Sequence, residues 1–362
     1  MKILATAGSS GGHIFPALSF VDAFKKKYPD SEALLVLPQR SKKSVKLGLG
    51  HQVRYICVSP VRLCLDYSNI LAIGNLFKGS LESIIILAEF RPDAVVGFGG
   101  IESLPVVFFA WLFRVKTLLH EQNVMPGRAN RLLAKFVDRV AVSFAQAKDY
   151  MGTDPEKVVL TGNPVRALAV VPKEKAREYF GLQGDKFTVL VMGGSQGSRH
   201  INSGAFRAIS GLSESLQLQV IHLAGQGGAE FITARYRSLG IEARVFDFLE
   251  SMEQAYSAAD VAISRAGATT VTELILFNLP AILIPYPYAY QHQFANAKVL
   301  ADRGCALVIR DEELDGEVLG QAINSVARNS QMLGSMRAQY RAFGRNNAAQ
   351  LLVEEVESLN RH

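Results

Sequence analysis

One pattern constrains the fold of this chain more than any other, and it occurs twice. An apolar run at residues 3–7 leads into the glycine-rich segment GSSGGH, residues 8–13, and then into an apolar helix from about Phe15. A second apolar run at residues 188–192 leads into GGSQGS, residues 193–198, and another helix. Strand, glycine-rich turn and helix in this order open a Rossmann-like unit. The repetition predicts two such units in tandem.

Short apolar runs alternate with helical patterns along the whole chain. Most of these runs are continuously apolar, which is typical of parallel strands buried on both faces. The alternation predicts an α/β fold built from doubly wound parallel sheets. The candidate strands are residues 3–7, 33–37, 54–58, 94–98, 117–120, 139–143, 158–160, 188–192, 219–223, 243–246, 261–264, 281–285 and 306–309.

The domain boundary follows from the point at which the pattern restarts. A length of 362 residues suits two domains of ordinary size. The segment GNPVR, residues 162–166, precedes the restart, and residues 347–360 form a last helical pattern with no strand after it. We therefore expect an N-terminal domain of residues 1–164 plus 344–362 and a C-terminal domain of residues 165–343.

Composition and charge narrow the classes of function. The chain has 39 Lys and Arg against 33 Asp and Glu, a net charge of +6, which favours anionic substrates or anionic lipid surfaces. No dense basic block with interleaved aromatic residues is present, so we expect no nucleic acid. Cys57, Cys64 and Cys305 lack CxxC spacing, which argues against a disulfide framework or a zinc site.

The apolar runs are too short for membrane insertion. The strongest, residues 83–88 and 106–113, fall short of the ~18–20 residues that span a bilayer. Residues 3–7 are also too short for the core of a signal peptide. We therefore expect neither export nor a transmembrane segment.

The glycine-rich turns predict anion binding but not a nicotinamide or flavin cofactor. Each turn opens a helix at the carboxyl end of a strand, where free N–H groups and the helix dipole favour an anion. The first turn has the spacing G-x-x-G-G-H rather than G-x-G-x-x-G, and the second strand ends in LPQR without an acid for a ribose hydroxyl. No G-x-x-x-x-G-K-[ST] segment is present, which excludes a P-loop NTPase.

Polar segments follow several other strands, and together with the turns they resemble a known family. The segments in order are GSSGGHIFPAL, GFGG, HEQNVMPGRANRLLA, GNPVR, GGSQGS, FLESM, SRAGATTVTEL and QHQFANA, which span the chain from about Ile3 to about Asp302. This set resembles the MurG family of peptidoglycan N-acetylglucosaminyltransferases. The resemblance implies the GT-B fold, two Rossmann-like doubly wound parallel-sheet domains facing a cleft, without cofactor or metal.

The resemblance also implies a reaction. Enzymes of this family transfer GlcNAc from UDP-GlcNAc to the 4-hydroxyl of MurNAc in lipid I, undecaprenyl-pyrophosphoryl-MurNAc-pentapeptide, and so make lipid II. The anomeric centre inverts and UDP leaves. The attacking hydroxyl benefits from a base with a pKa near the working pH, which points to histidine. His13, at the end of the first glycine-rich turn, is the candidate, and the alternative is that it caps its helix or forms a hydrogen bond with the turn.

In the N-terminal half the resemblance implies substrate contacts at five positions. Ser10, Gly11 and Gly12 would lie near the diphosphates of both donor and acceptor. Asn123 would contact the donor sugar, and Arg166 would reach the donor diphosphate.

In the C-terminal half the implied contacts concern the sugar nucleotide. Ser195 would reach the donor diphosphate, the backbone at Leu249 would bind uracil, and Gln293 would reach the GlcNAc hydroxyls, with His292 as a secondary candidate. Glu273 would bind the ribose hydroxyls, although an acid in the first turn of a helix would also stabilise the helix dipole. The helix segment that would hold the nucleotide comprises Ala268, Thr269, Thr270, Val271, Thr272 and Glu273.

The family further implies a peripheral enzyme on the cytoplasmic face of the cell membrane, with other cell-wall synthesis proteins as partners. An apolar surface ringed by basic residues binds anionic lipid reversibly. The residues that would supply it are Leu76, Phe77, Lys78, Trp111, Arg114, Arg128, Arg131 and Lys135.

Three alternatives to this function stay open at the sequence level. A GT-B glycosyltransferase acting on a different lipid would share the donor half. A UDP-GlcNAc 2-epimerase would need no lipid acceptor. A non-catalytic sugar-nucleotide sensor would bind UDP-GlcNAc without turnover.

Overall fold

The chain forms two compact units, which are described one at a time. The computed structural model describes residues 1–43, 50–59, 68–166, 168–194, 197–287, 292–344 and 347–361. Unit 1 comprises Met1–Arg166 and Asn346–His362, and unit 2 comprises Ala167–Arg345. In the described part of the chain, no helix is both long enough and apolar enough to cross a membrane.

Unit 1 is built on a seven-stranded parallel sheet. Its strands follow the order β3-β2-β1-β4-β5-β6-β7. The strands are β1 (Lys2–Thr6), β2 (Glu32–Pro38), β3 (Gln52–Ile56), β4 (Ala94–Gly97), β5 (Lys116–Glu121), β6 (Arg139–Val142) and β7 (Val158–Leu160).

The sheet of unit 1 is covered on both faces, which explains its continuously apolar strands. Ile3 and Ala5 of β1 join one buried cluster together with Phe20 and Phe24. Leu4, between them, joins a second cluster on the opposite face. Because successive side chains of a strand point to opposite faces, a strand between two helical layers needs apolar residues at every position.

The helices of unit 1 lie on these two faces. The last helix of the chain returns to unit 1, where Leu352, Val353 and Val356 are buried in the same cluster as Phe20. The helices are α1 (Gly11–Lys27), α2 (Ser68–Phe90), α3 (Leu104–Leu112), α4 (Arg128–Leu133) and α13 (Ala348–Arg361).

Unit 2 repeats this architecture with six parallel strands in the order β10-β9-β8-β11-β12-β13. The strands are β8 (Phe187–Met192), β9 (Leu218–Leu223), β10 (Glu242–Phe246), β11 (Val261–Ser264), β12 (Ala281–Leu283) and β13 (Ala306–Val308). The helices are α5 (Lys173–Tyr179), α6 (Arg199–Leu212), α7 (Ala229–Ser238), α8 (Met252–Ala258), α9 (Ala268–Leu276), α10 (His292–Ala301), α11 (Gly316–Arg328) and α12 (Ser330–Gln339).

The two sheets share one topology, and it locates the ligand sites. In both, the first strand of the unit lies in the middle and the chain winds outward from it in both directions. Ligands of such sheets bind at the carboxyl ends of the strands, where the winding direction reverses. All thirteen predicted strands are present, with ends that differ by at most two residues. The two glycine-rich turns follow β1 and β8 and therefore lie at these positions.

Candidate active site

The first glycine-rich turn is a point of close backbone approach. Gly8 N donates to Gly99 O at 2.8 Å, which joins the turn after β1 to the turn after β4. A methyl group on Gly100, whose φ is +83°, would lie only 2.6 Å from Gly8 Cα. A side chain at either position is therefore excluded, and the backbones of the two turns lie in direct contact.

Helix α1 begins earlier than the sequence predicts, and this correction matters for the site. It starts at Gly11 rather than near Phe15, with Ser10 as its N-cap residue. Gly11, Gly12 and His13 therefore form the first helical turn. The N–H groups at the start of a helix have no acceptor within the helix, and the dipole makes them attractive to anions. Two glycines here leave these N–H groups open to a phosphate.

His13 lies in this first turn and is suited to accept a proton. Its Nδ1 lies 3.0 Å from Ser10 Oγ. Burial lowers the pKa of His13 below its usual 6.5, and the carboxylates of Glu121 and Glu102 oppose part of that shift. The imidazole is therefore neutral at pH 7. In the tautomer whose Nδ1–H donates to Ser10 Oγ, the lone pair of Nε2 is available to a substrate hydroxyl.

Glu121, at the end of β5, organises the loop that carries Asn123. Its Oε1 accepts from Asn123 N at 2.8 Å and from Asn123 Nδ2 at 3.2 Å. Its Oε2 accepts from Gly127 N at 3.1 Å and from Asn130 Nδ2 at 2.7 Å. The neighbouring Gln122 donates to Phe98 O at 3.1 Å. Glu121 and Gln122 are buried and thus act as braces, whereas the adjacent Asn123 is half-buried.

Arg166 joins the first glycine-rich turn through an aromatic ring. Its guanidinium lies over the ring of Phe15, 5.5 Å from the centroid. The same ring packs against the helix start, because a methyl group on Gly11 would lie 3.1 Å from Phe15 Cε2. Phe15 therefore holds the cation of Arg166 beside the first turn of α1. The sequence predicted Arg166 but gave Phe15 no role.

In unit 2 the second glycine-rich turn is held by Arg265. Ser198 caps α6 by accepting from Ile201 N at 3.3 Å. Arg265 Nη2 donates to Ser198 Oγ at 3.1 Å, while its Nη1 donates to Ile284 O at 3.1 Å and pairs with Asp311. The predicted residue Ser195 lies outside the described residues.

The segment from the end of β11 to the start of α9 carries two buried hydroxyls without a partner among the described residues. They are Ser264 Oγ, at the end of β11, and Thr269 Oγ1, in the first turn of the helix. The N-cap residue, Gly267, offers no side chain to the open N–H groups of that turn. Unsatisfied donors gathered at a helix start suit a phosphate, which accepts several hydrogen bonds at once.

Glu273 lies in the second turn of α9, so the helix-dipole alternative for it is wrong. It is the sixth residue of α9 and is buried. Tyr256 Oη donates to Glu273 Oε2 at 2.7 Å. This hydrogen bond orients the carboxylate, and no pattern in the sequence connects Tyr256 with Glu273. Of the neighbouring predicted residues, Val271 and Thr272 are buried, and Thr272 donates to Ala268 O at 2.9 Å.

Two further loops of unit 2 carry predicted contacts. Leu249 is buried after β10, while the preceding Phe248 is 65% exposed. Gln293 Oε1 accepts from Ala266 N at 3.2 Å and from Tyr286 N at 3.0 Å. Both bonds use the amide oxygen of Gln293, and among the described residues its NH₂ group donates to no acceptor. His292 is the first residue of α10.

Two further histidines, His120 and His222, are buried and hydrogen-bonded within the protein. His120 Nε2–H donates to Gly162 O at 2.9 Å. His222 Nε2–H donates to Asn202 Oδ1 at 3.1 Å and its Nδ1 lies 3.0 Å from Tyr236 Oη. Burial lowers their pKa values to about 4 for His120 and about 3 for His222. Neither histidine is available to a substrate.

Family models match both halves of the chain. Residues 3–142 match the N-terminal domain of glycosyltransferase family 28, and residues 188–352 match its C-terminal domain. Together with the two Rossmann-like sheets, these matches define the class of protein. The chain is a glycosyltransferase with the GT-B fold.

Individual relatives narrow the class. Two of them are named UDP-N-acetylglucosamine–N-acetylmuramyl-(pentapeptide) pyrophosphoryl-undecaprenol N-acetylglucosamine transferase. The one from Thermodesulfovibrio yellowstonii is 36% identical over 100% of this chain and 99% of its own length. The one from Bacillus subtilis is 35% identical over 100% of both chains. The crystal structure of Acinetobacter baumannii MurG superposes with a TM-score of 0.78 at 27% identity, covering 99% of this chain and 100% of the other. The chain belongs to the MurG family of N-acetylglucosaminyltransferases.

Proposed function

We propose that this enzyme transfers GlcNAc from UDP-GlcNAc to the 4-hydroxyl of MurNAc in lipid I, which gives lipid II with inversion at the anomeric carbon. The observation that carries the proposal is the match to curated relatives of this activity over the whole chain. Support from the geometry comes from polar groups gathered at the carboxyl end of each sheet.

Unit 2 is proposed to bind the donor. The open N–H groups of α9 and the hydroxyl of Thr269 would receive the diphosphate, and Glu273, oriented by Tyr256, would accept from the ribose hydroxyls. The NH₂ group of Gln293 would donate to GlcNAc hydroxyls. The exposed ring of Phe248, next to Leu249, offers a stacking surface for the uracil. As UDP leaves, helix N-termini and arginine stabilise the charge that develops on the diphosphate.

Unit 1 is proposed to bind the acceptor and to carry the base. Nε2 of His13 would take the proton of the MurNAc 4-hydroxyl as its oxygen attacks C1 of GlcNAc. The imidazolium that forms would be stabilised by the nearby carboxylates of Glu102 and Glu121, whose charges favour the protonated ring. Ser10, Gly11 and Gly12 would bind diphosphate, Arg166 would neutralise the donor diphosphate, and Asn123 would contact the donor sugar.

Release of UDP from UDP-GlcNAc, with and without a short-chain lipid I analogue, tests the function. We expect acceptor-dependent release with a β-1,4-linked disaccharide as product. Glu273→Ala abolishes that release, whereas Glu317→Ala, which removes an acid of α11 in the same unit, leaves it intact. Release without acceptor would instead indicate hydrolysis or epimerase chemistry. UDP-GlcNAc binding without turnover would indicate a sensor, and transfer to a diacylglycerol alone would indicate a different lipid glycosyltransferase.

We further propose that the enzyme works as a peripheral protein on the cytoplasmic face of the membrane. The support is an exposed apolar stripe on α2, formed by residues four apart, of which Phe77 is 69% exposed. Of the residues named from the sequence, Leu76 packs against the core and Trp111 is half-buried against Phe136. The stripe comprises Ile73, Phe77, Leu81 and Ile85.

Exposed basic residues of the same unit would attract anionic headgroups. Lys78 lies on α2 itself, and four more exposed cations lie on or beside α3 and α4. They are Arg114, Arg128, Arg131 and Lys135. Burying one exposed phenylalanine or isoleucine in the bilayer contributes roughly 1.5–3 kcal/mol, and each cation adds about 1 kcal/mol at an anionic surface.

Sedimentation with vesicles containing anionic lipid tests this placement. The double variant Lys78→Glu/Arg131→Glu should lose most of its binding, and Phe77→Ser should weaken binding at high salt as well. The matched control is Lys26→Glu/Lys148→Glu, which makes the same charge change at exposed positions elsewhere in unit 1. Equal binding by the two double variants would refute the placement.

A further inference from the structure

An ion pair lies beside the first glycine-rich turn, and the proposed reaction gives its cation no role. It joins Arg40, which follows β2, to Glu102, which follows β4. β1 lies between these two strands in the sheet. The ion pair therefore connects the two neighbours of β1 at the carboxyl end of the sheet. Ser9, which follows β1, donates to the same carboxylate oxygen at 3.2 Å.

Glu102 is an unusual residue to find beside an anion site. Its side chain is only 4% exposed. A methyl group on Gly8 would lie 3.2 Å from Glu102 Oε2 and 2.8 Å from His13 Nδ1, so the carboxylate lies immediately beside the turn. A buried negative charge at this distance repels a phosphate unless a cation compensates it. Arg40 supplies that cation.

Arg40 has more hydrogen-bonding capacity than Glu102 uses. Only its Nη2 contacts Glu102, and within the described ranges no other acceptor contacts the guanidinium. Its side chain is 48% exposed. A guanidinium carries five N–H donors in a planar fork that matches phosphate oxygens. One edge of Arg40 is thus anchored on a buried acid while other donors face solvent near the first turn of α1.

We propose that Arg40, oriented by Glu102, is a ligand of the diphosphate that binds at the first glycine-rich turn. Both substrates of the proposed reaction carry a diphosphate, and we assign Arg40 to the one on the prenyl chain of the acceptor, an assignment that rests on the proposed function. Arg40 belongs to unit 1, whereas the groups proposed to hold the nucleotide belong mainly to unit 2. Glu102 is a positioning residue in this scheme, because it acts through Arg40.

The competing explanation is that Arg40 only neutralises Glu102. The two explanations differ in a background where Glu102 carries no charge. In Glu102→Gln nothing needs neutralising, so a neutraliser becomes dispensable while a ligand does not. This background also avoids leaving a buried carboxylate unpaired, which by itself would destabilise the protein.

The test measures binding of farnesyl diphosphate and, separately, of UDP by calorimetry. We expect Arg40→Ala/Glu102→Gln to bind farnesyl diphosphate at least 10-fold more weakly than Glu102→Gln, with UDP binding unchanged within 2-fold. Arg40→Lys/Glu102→Gln, which keeps the positive charge but not the planar fork of donors, should bind farnesyl diphosphate with an affinity between those of these two variants. Arg54→Ala is the matched control: Arg54 is also 48% exposed, lies in unit 1 and pairs with an acid, Glu89.

Each outcome decides the matter. Equal farnesyl diphosphate binding by the double variant and by Glu102→Gln would mean that Arg40 only neutralises, and would overturn the proposal. A loss confined to UDP, or no farnesyl diphosphate binding by the wild type, would also overturn it. Turnover of the lipid I analogue is recorded separately. A wild type that binds farnesyl diphosphate through Arg40 but transfers no GlcNAc would refute the proposed function and leave the Arg40 site standing.

Discussion

Replacing Thr269 by valine should make the protein more stable and its substrate binding weaker. Thr269 Oγ1 is buried at the start of α9 and has no hydrogen-bond partner among the described residues. Valine has nearly the same shape and is also β-branched, so the exchange replaces an unpaired hydroxyl with a methyl group. A buried group that serves only the ligand costs free energy in the unliganded protein.

The magnitudes follow from the two states of the hydroxyl. An unsatisfied buried polar group costs about 1–3 kcal/mol. At the lower end of that range, Thr269→Val should raise the free energy of unfolding by about 1 kcal/mol. For a unit of this size that corresponds to a Tm increase of about 2–4 °C. A hydrogen bond to a charged diphosphate is worth about 1.5–3 kcal/mol, so the dissociation constant for UDP should rise by about 10-fold to 150-fold.

Thermal unfolding and calorimetric titration with UDP check the two effects on the same samples. Thr233→Val is the control, because Thr233 Oγ1 donates to Ala229 O at 2.7 Å within α7 of the same unit. That exchange removes a satisfied hydrogen bond and should leave UDP binding unchanged without raising Tm. If Thr269→Val bound UDP as tightly as the wild type, the start of α9 would not be the diphosphate site. A lower Tm would mean that the hydroxyl has a partner in the unliganded protein.

Three further predictions concern other parts of the fold. His13→Gln should lower kcat by a factor of ~10²–10⁴ with UDP-GlcNAc binding unchanged. Because burial lowers the pKa of His13, the kcat/KM of the wild type should stay level from pH 8 to below 6.5. A profile that already falls above pH 7 would contradict this. His120 and His222 stay neutral in the folded protein at pH 5 but become protonated in the unfolded chain, so the free energy of unfolding falls as the pH drops below 6.5. The loss is about 2 kcal/mol for each histidine at pH 5. Urea unfolding at pH 7 and pH 5 checks this, and His222→Gln should reduce the difference between the two pH values. Gly100→Ala combines a φ of +83° with a methyl group 2.6 Å from Gly8 Cα, so in thermal unfolding it should cost more than the about 1–3 kcal/mol of backbone strain alone. Gly74→Ala, in open space on α2, should be neutral or stabilising.

Much of the fold could be predicted from the sequence because the information is local. A strand covered on both faces must be apolar at every position, and β1, β4 and β8 show this as uninterrupted runs. The start of α1 was predicted four residues too late. Glycine has low helix propensity, so the two glycines at the first helical positions do not indicate a helix in the sequence. Because they have no side chains, they leave the N–H groups of the first turn accessible.

Some residues of the candidate site can also be identified from local sequence, whereas others cannot. Ser10, Gly11 and Gly12 form a contiguous motif whose chemistry can be interpreted without coordinates. The hydrogen bond from Tyr256 to Glu273 and the contact of Arg166 with Phe15 join residues far apart in the chain. No periodicity or spacing encodes such pairs, because they arise only when strands and helices pack.

The sequence by itself determined that this chain forms two parallel α/β units, each opening with a glycine-rich turn that we predict to bind an anion, since apolar runs, glycines and turn spacing act over a few residues. The tertiary structure decided how charge is arranged around the first turn. Arg40 and Glu102 are 62 positions apart, and they meet because β2 and β4 are the two neighbours of β1 in the sheet. Strand order is a property of the whole sheet, and it sets which side chains share the carboxyl end where the substrate is proposed to bind.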